Sequence, residues 1–243
     1  DNQGNHSLNS SCNYVTSFNG TSSAAPVVAG GIAMILEAKP ALTWRDVKHI
    51  LASTSDQVHA DFGARSETTT GGSTLVVEPG WLTNGAGYKF HNWYGFGRIN
   101  VTAAVALAKT MTANNLGTFT ESSWQASGTL NTSVTHSAVV TNAMSVSGAN
   151  FIEAVQIKVN LLAACTGAYQ IELTSPAGTK SVLKNAFDGF GGSNNLTNMV
   201  LLSNAFYGES KAGNWTLKVI DGYQTGGCTA GTLQNWSIRF FGH

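Results

Sequence analysis

Ser22 is the residue whose surroundings best suit a nucleophile. It lies in Asn19-Gly20-Thr21-Ser22-Ser23-Ala24-Ala25-Pro26, between a short strand-like stretch, Tyr14 to Phe18, and the most apolar helical segment of the chain. Gly20 lets the backbone turn sharply out of the strand. Ser22 then falls at a helix N-terminus, where unpaired N–H groups and the positive end of the dipole can stabilise a developing oxyanion. Ala24 and Ala25 keep the approach open, and Pro26 is expected in the first turn, where a missing N–H costs little. The plainer role for such a serine is to cap the helix. A hydroxyl attacks a carbonyl only if a base takes its proton. The six imidazoles are His6, His49, His59, His91, His136 and His243; none shares a motif with Ser22, His49 sits on an amphipathic helix, and none is assigned a role.

The elements that must position this serine are set by composition and pattern. With 243 residues, the chain exceeds one typical domain and suggests two. Thirteen basic residues balance thirteen acidic ones, so no net field would hold nucleic acid or an anionic membrane. Charged residues reach only 11% against 42% hydrophobic, as in a folded, loop-rich, β-containing protein rather than a disordered one. The longest apolar run, Ala24 to Leu36, is broken by glycines and shorter than the roughly 20 residues that span a bilayer. Asp1 to Ser11 is polar and does not read as a signal peptide, so the chain is expected to be mature, processed or truncated.

Character changes near residue 112. Before it, Ala24 to Ala38, Trp44 to Ser53 and Val101 to Met111 carry a helical period and are expected as core helices. Trp44, Val47, Ile50 and Leu51 share one face, and Thr43 with Asp46 forms a capping pair. Asn100 caps the third helix, on which Val101, Ala104, Val105 and Ala108 align. Residues 112–136 show neither period and read as a linker. Beyond them alternation takes over. Val155, Ile157, Val159 and Leu161, then Tyr169, Ile171 and Leu173, alternate with polar residues, and Trp215 to Val219 and Trp236 to Phe240 repeat the period of two. Ser175-Pro176-Ala177-Gly178 is a turn. Short strands without a credible helix indicate an antiparallel sandwich, in which Trp215 and Trp236 are core residues rather than a sugar platform.

The string Gly20-Thr21-Ser22-Ser23-Ala24-Ala25-Pro26 resembles the G-T-S-x-x-x-P nucleophile motif of subtilisin-like serine proteases. Leu42-Thr43-Trp44-Arg45-Asp46-Val47-Lys48-His49 and Tyr94-Gly95-Phe96-Gly97-Arg98-Ile99-Asn100 resemble matching segments of the furin and kexin proprotein-convertase branch. Leu173 to Thr179 and Gly213-Asn214-Trp215-Thr216-Leu217 are similar to that branch's P domain. The resemblance runs in order over essentially the whole chain. Furin-like enzymes place a histidine shortly before the glycine of the motif, where this chain has Ser17, Phe18 and Asn19.

The resemblance implies the C-terminal part of an α/β subtilisin-like catalytic domain over residues 1–111, the linker 112–136, and an all-β antiparallel jelly-roll sandwich, the P domain, over 137–243. It implies a secreted serine endopeptidase in which Ser22 is the acyl-enzyme nucleophile, its backbone N–H helps hold the oxyanion, and the P domain stabilises the catalytic domain. In such enzymes the catalytic Asp, His and oxyanion Asn precede the serine by more than 21 residues. The expected partners are therefore the upstream segment of the same domain and a peptide or protein substrate, with neither nucleic acid nor membrane, and the isolated chain is expected to be inactive. The secreted context implies a Cys165 to Cys228 disulfide, while Cys12 stands where convertases place a cysteine bonded to the upstream segment. No cofactor is expected in the catalytic step. Calcium is a structural possibility at Asp188 in the Asp188 to Asn195 loop, with Glu209 or Asp221 nearby, although the loop lacks the spacing of a calcium-binding hand. The alternative is a non-catalytic β-sandwich binding or scaffolding module.

Overall fold

The computed structural model describes residues 20–69, 71–163, 165–188, 195–222 and 229–243. The chain divides into two compact units: residues up to Ser55 together with Ile99–Asn115, and Asp56–Arg98 together with Leu116–His243.

The first unit is helical: α1 (Thr21–Ala38), α2 (Trp44–Thr54) and α3 (Val101–Thr110). The capping pair forms as the spacing predicts, with Thr43 N–H donating to Asp46 Oδ2 at 2.8 Å and Asp46 N–H donating to Thr43 Oγ1 at 3.2 Å. Asn100 Oδ1 accepts from the Ala103 N–H at 3.0 Å and starts α3. Ile35, Leu42, Val47, Ile50, Ala104, Ala108 and Met111 make the small core. Gly31 is where α1 crosses the start of α3, since a Cβ there would lie 2.6 Å from Ile99 Cδ1.

Two expectations change. Trp44, the first residue of α2, is exposed rather than on the buried face, although Arg45, Asp46 and Val47 after it are buried. α1 is not a core helix within this chain: only Gly31 and Ile35 are buried along it, and Val27 and Met34 are 69% and 54% exposed.

The second unit is built on a sandwich. One sheet has the order β11 (Lys180–Lys184), β10 (Tyr169–Thr174), β13 (Gly213–Asp221), β8 (Val139–Val146). The other runs β12 (Leu196–Ser203), β9 (Ile152–Leu162), β14 (Gly231–Gly242), β5 (Thr120–Glu121), and β6 (Gln125–Ala126) and β7 (Thr132–Val134) also pair with β14. All these pairings are antiparallel. Alternation along β9, β10, β13 and β14 sends Val155, Ile157, Ile171, Leu217, Ile238 and their neighbours into one core with fully buried Trp215 and Trp236. Each buried indole N–H is satisfied: Trp215 donates to Lys211 O and Trp236 to Asn142 Oδ1, both at 2.8 Å. Residues 120–134 are thus not a plain linker. Their strands are two or three residues long, too short to show a period, and they are held by β14.

Residues 56–98 add two hairpins, β1 (Arg65–Thr68) with β2 (Thr74–Glu78) and β3 (Leu82–Thr83) with β4 (Lys89–Phe90).

Asp46 also ties the chain after α3, accepting from the Asn114 and Asn115 N–H groups at 2.8 and 3.1 Å. Burial alone would raise its pKa, but these bonds together with those from Thr43 outweigh it and hold the carboxyl below the usual range. Asp46→Ala should therefore destabilise the helical unit by about 1–2 kcal/mol, since it removes the capping box and the acceptor for the part-buried Asn114 and Asn115 N–H groups. Because the folded pKa is depressed, Asp46's contribution is present above the unfolded value of about 3.9 and is lost as pH falls through the folded one. Urea unfolding followed by circular dichroism from pH 7 to pH 3 should show the wild-type and Asp46→Ala curves converging at the acid end.

Candidate functional site

Gly20, with φ 90°, occupies backbone space that L side chains rarely adopt, and it forms the N-cap of α1. Its carbonyl accepts from the Ser23 and Ala24 N–H groups at 3.0 and 3.2 Å, the first backbone bonds of the helix. The Ser22 N–H therefore precedes the first bonded amide, and the Ser22 side chain is exposed. A nucleophile with a donor N–H on the same residue at a helix N-terminus is the geometry that acyl transfer uses. Pro26 is placed differently from expectation. It is the sixth residue of α1, one turn in, so its missing N–H leaves the Ser22 carbonyl without the usual i+4 donor.

No described histidine is hydrogen-bonded to Ser22. His59 Nδ1 lies 2.9 Å from Tyr94 Oη, His136 Nδ1 3.3 Å from Asp221 and His243 Nδ1 3.0 Å from Glu153. His91 accepts the Trp93 N–H on Nδ1 at 3.0 Å. His6 and Cys12 lie outside the described residues.

Cys165, at the start of a single 3₁₀ turn, is disulfide-bonded and packs against the sandwich core. Cys228 lies outside the described residues. The carboxylates considered for calcium have separate partners. Asp188 pairs with Lys184 Nζ at 2.9 Å, Glu209 Oε1 accepts the Gly85 N–H at 2.8 Å and the Thr179 hydroxyl, and Asp221 faces His136. Among the described residues no group of three or more His, Cys, Asp or Glu is placed to hold a metal ion.

The Tyr94 to Arg98 segment is a structural clasp. His91 and Gly95 exchange backbone bonds, Asp56 and Arg98 do the same, and Phe96 packs edge-on to Tyr88, Phe90 and Tyr207. Asn84 completes it. This buried amide donates to the Ala205 and Tyr207 carbonyls at 2.9 and 2.8 Å and accepts from the Ala86 and Tyr88 N–H groups at 3.0 and 2.9 Å. Sequence reasoning missed Asn84. Its only signal is an Asn-Gly pair, which reads as an ordinary turn.

Residues 2–97 match the subtilase family, and residues 152–240 match the proprotein convertase P-domain. An extracellular serine protease of Aeromonas sobria is 34% identical, over 99% of this chain and 45% of that protein. Proprotein convertase subtilisin/kexin type 6 of Rattus norvegicus is 33% identical, over 92% of this chain and 23% of its own length. The crystal structure of the Aeromonas sobria protease superposes with a TM-score of 0.86 at 31% identity, covering 99% of this chain and 47% of that one. The fold and the serine-bearing helix are those of a subtilisin-like protease domain followed by a P domain. The chain belongs to the furin and kexin branch of the subtilisin-like serine proteases, and it spans less than half the length of these relatives.

His91 is fully buried among Phe62, Trp81, Trp93 and Tyr94. That burial pushes its pKa below the ordinary histidine value, and the Glu78 carboxylate only partly opposes the shift. A depressed histidine stays neutral in the fold while the unfolded chain takes up a proton. Its share of stability is therefore present above about pH 6.5 and lost as pH falls towards the folded pKa. Urea unfolding at pH 7, 6 and 5 should show a smaller loss of stability across this window in His91→Gln than in the wild type.

Proposed function

We propose that this chain is the nucleophile-bearing and P-domain portion of a secreted serine endopeptidase. The observation that carries this reading is Ser22 itself, exposed on the Gly20 bend with its N–H ahead of the first helical hydrogen bond, inside the stretch that matches the subtilase family. In the reaction, Ser22 Oγ attacks the scissile carbonyl as a histidine takes its proton, and the Ser22 N–H helps hold the oxyanion. The tetrahedral intermediate collapses to an acyl-enzyme, expelling the amine protonated by that histidine. Water, deprotonated by the same base, then releases the acid and restores Ser22.

The base and its aspartate come from an upstream segment of the same domain, and so does the oxyanion asparagine. The exposed apolar face of α1 supports this, together with a groove of about 550 Å³ lined by Met34, Val101, Val105, Ala106 and Lys109. α1 is long and apolar enough by composition to cross a membrane. Its serine motif and its place in the subtilase match favour a helix of a protease core instead. Without the upstream segment the chain is inactive. Secretion is supported by the extracellular Aeromonas relative and by the disulfide at Cys165.

The P domain serves to hold the end of the subtilase segment in place. Asn84, the Gly85 to Glu209 bond and the bond from Gln170 Nε2 to Val76 O at 2.8 Å support that role, since each joins residues 56–98 to the sandwich.

In the full-length gene product, an active-site-directed phosphonate should label Ser22. Ser22→Ala should abolish labelling and lower kcat by about 10⁴-fold to 10⁶-fold. Turnover by the isolated 243-residue chain that disappears with Ser22→Ala, or labelling at another residue, would overturn the proposal.

Asn84→Ala strands four backbone groups. It should destabilise the second unit by about 2–4 kcal/mol in thermal melts. If the P domain supports the protease, this variant should also shorten the activity half-life of the full-length enzyme on heating.

A further inference from the structure

The two sheets of the sandwich end side by side in edge strands. β11 pairs only with β10 and β12 only with β9 among the described residues. These edges touch where the Ser181 and Ser203 hydroxyls lie 2.8 Å apart. A cavity of about 460 Å³ opens between them, its walls including Val182, Leu183, Met199 and Leu201. A second cavity of about 160 Å³ shares Glu78, Trp93, Asn185 and Asp188 with the first, so the two form one groove.

The edges differ chemically. β11 begins and ends with lysine, a common protection against strand addition. β12, Leu-Thr-Asn-Met-Val-Leu-Leu-Ser, carries neither charge nor proline, and Val200 and Leu202 are exposed along it. Its pairing is irregular between Leu196 and Met199, where Asn198 has φ 49° and donates its N–H to Asn160 Oδ1 at 2.7 Å, so the regular edge it presents to an extended chain is residues 199–203.

Glu78 supplies a second, independent observation. Its side chain lines both cavities and the residue is 2% exposed. Oε1 accepts the Gly80 N–H at 3.1 Å, while Oε2 is buried with no partner. The carboxylate also acts on His91, but no hydrogen bond joins the two, and a buried oxygen left so is costly. The other charged groups lining the groove already have counter-ions: Asp188 pairs with Lys184, and Arg65 with Glu67. Beside Glu78 stands Trp93, an exposed indole suited to the flat face of a guanidinium.

We propose that this groove binds an extended polypeptide segment, which adds to the open edge of β12 and directs one arginine side chain to Glu78. Period-two alternation sends the segment's inward side chains between Met199 and Leu201, and the guanidinium gives Glu78 Oε2 a charge-assisted hydrogen bond. The site makes no use of Ser22. It is a recognition surface of the P-domain unit, beyond the protease reading and independent of it.

The test uses the full chain with Ser22→Ala and a fluorescein-labelled octapeptide of alternating valine and threonine with one central arginine, read by anisotropy. Saturable binding is expected, at least ten-fold tighter than that of the same peptide with glutamate in place of arginine. Glu78→Gln keeps the acceptor for Gly80 and should weaken binding about ten-fold. Trp93→Leu should weaken it several-fold, and because Trp93 also packs on Phe62 and His91 its melting temperature is measured alongside. Amide hydrogen exchange should slow in residues 199–203 on binding. Absence of binding, equal affinity for the two peptides, an unchanged Kd in a folded Glu78→Gln, or protection confined to other strands would overturn the proposal. So would concentration-dependent dimerisation that excludes the peptide, which would assign the edge to a second copy. None of these outcomes bears on Ser22, so the protease reading stands or falls separately.

Discussion

The side-chain amide of Asn84 is the interaction on which the architecture of the second unit turns. Two carbonyls and two N–H groups, drawn from segments more than 120 residues apart in sequence, converge on one buried group that can satisfy all four. Buried amides are costly when half-paired and rigidifying when fully paired. Asn84 therefore fixes how the chain from Asp56 to Arg98 lies on the sandwich, with the Glu209 carboxylate holding Gly85 and the Tyr88, Phe96 and Tyr207 rings closing around it. This is why residues that match the subtilase family fold in one compact unit with residues that match the P domain.

The helical unit shows the opposite distribution of buried surface. The sandwich closes over an apolar core containing two fully buried tryptophans, whereas α1 buries one face in part and leaves valine and methionine exposed. Burying such surface is worth about 25 cal/mol per Å², so an apolar helix left this open is poorly stabilised by its own unit. Ser22, the proposed nucleophile, stands at the N-terminal end of that helix. Its positioning thus depends on the weaker unit, and the capping box at Thr43 and Asp46, with Asp46 also binding the chain after α3, carries much of the local order there.

Much of this was legible in the sequence. The Gly20 bend, the Thr43 to Asp46 box, the Asn100 cap and the alternation of β9, β13 and β14 each depend on residues within a few positions of one another, and they formed as written, whereas β10 buries its polar Gln170 and Glu172 as well as its apolar face. The order of the serine motif, the Tyr-Gly-Phe-Gly segment and the P-domain strands was enough to identify the family. Short elements escaped. A two-residue strand such as β5 or β6 has no period to detect and exists only because β14 lies beside it.

Local spacing thus determined which residues bend, cap and alternate, because backbone sterics and capping hydrogen bonds act over a turn or a few strand residues. Tertiary structure alone decided that Asn84 is a clasp rather than a turn residue, that Trp44 faces water, that Pro26 falls one turn into α1, and that Glu78 is buried at an open sheet edge with an unpartnered oxygen. Those outcomes depend on which distant segment arrives as a neighbour. Burial and hydrogen-bond partnership belong to pairs of segments, and no window along a single chain contains both members of such a pair.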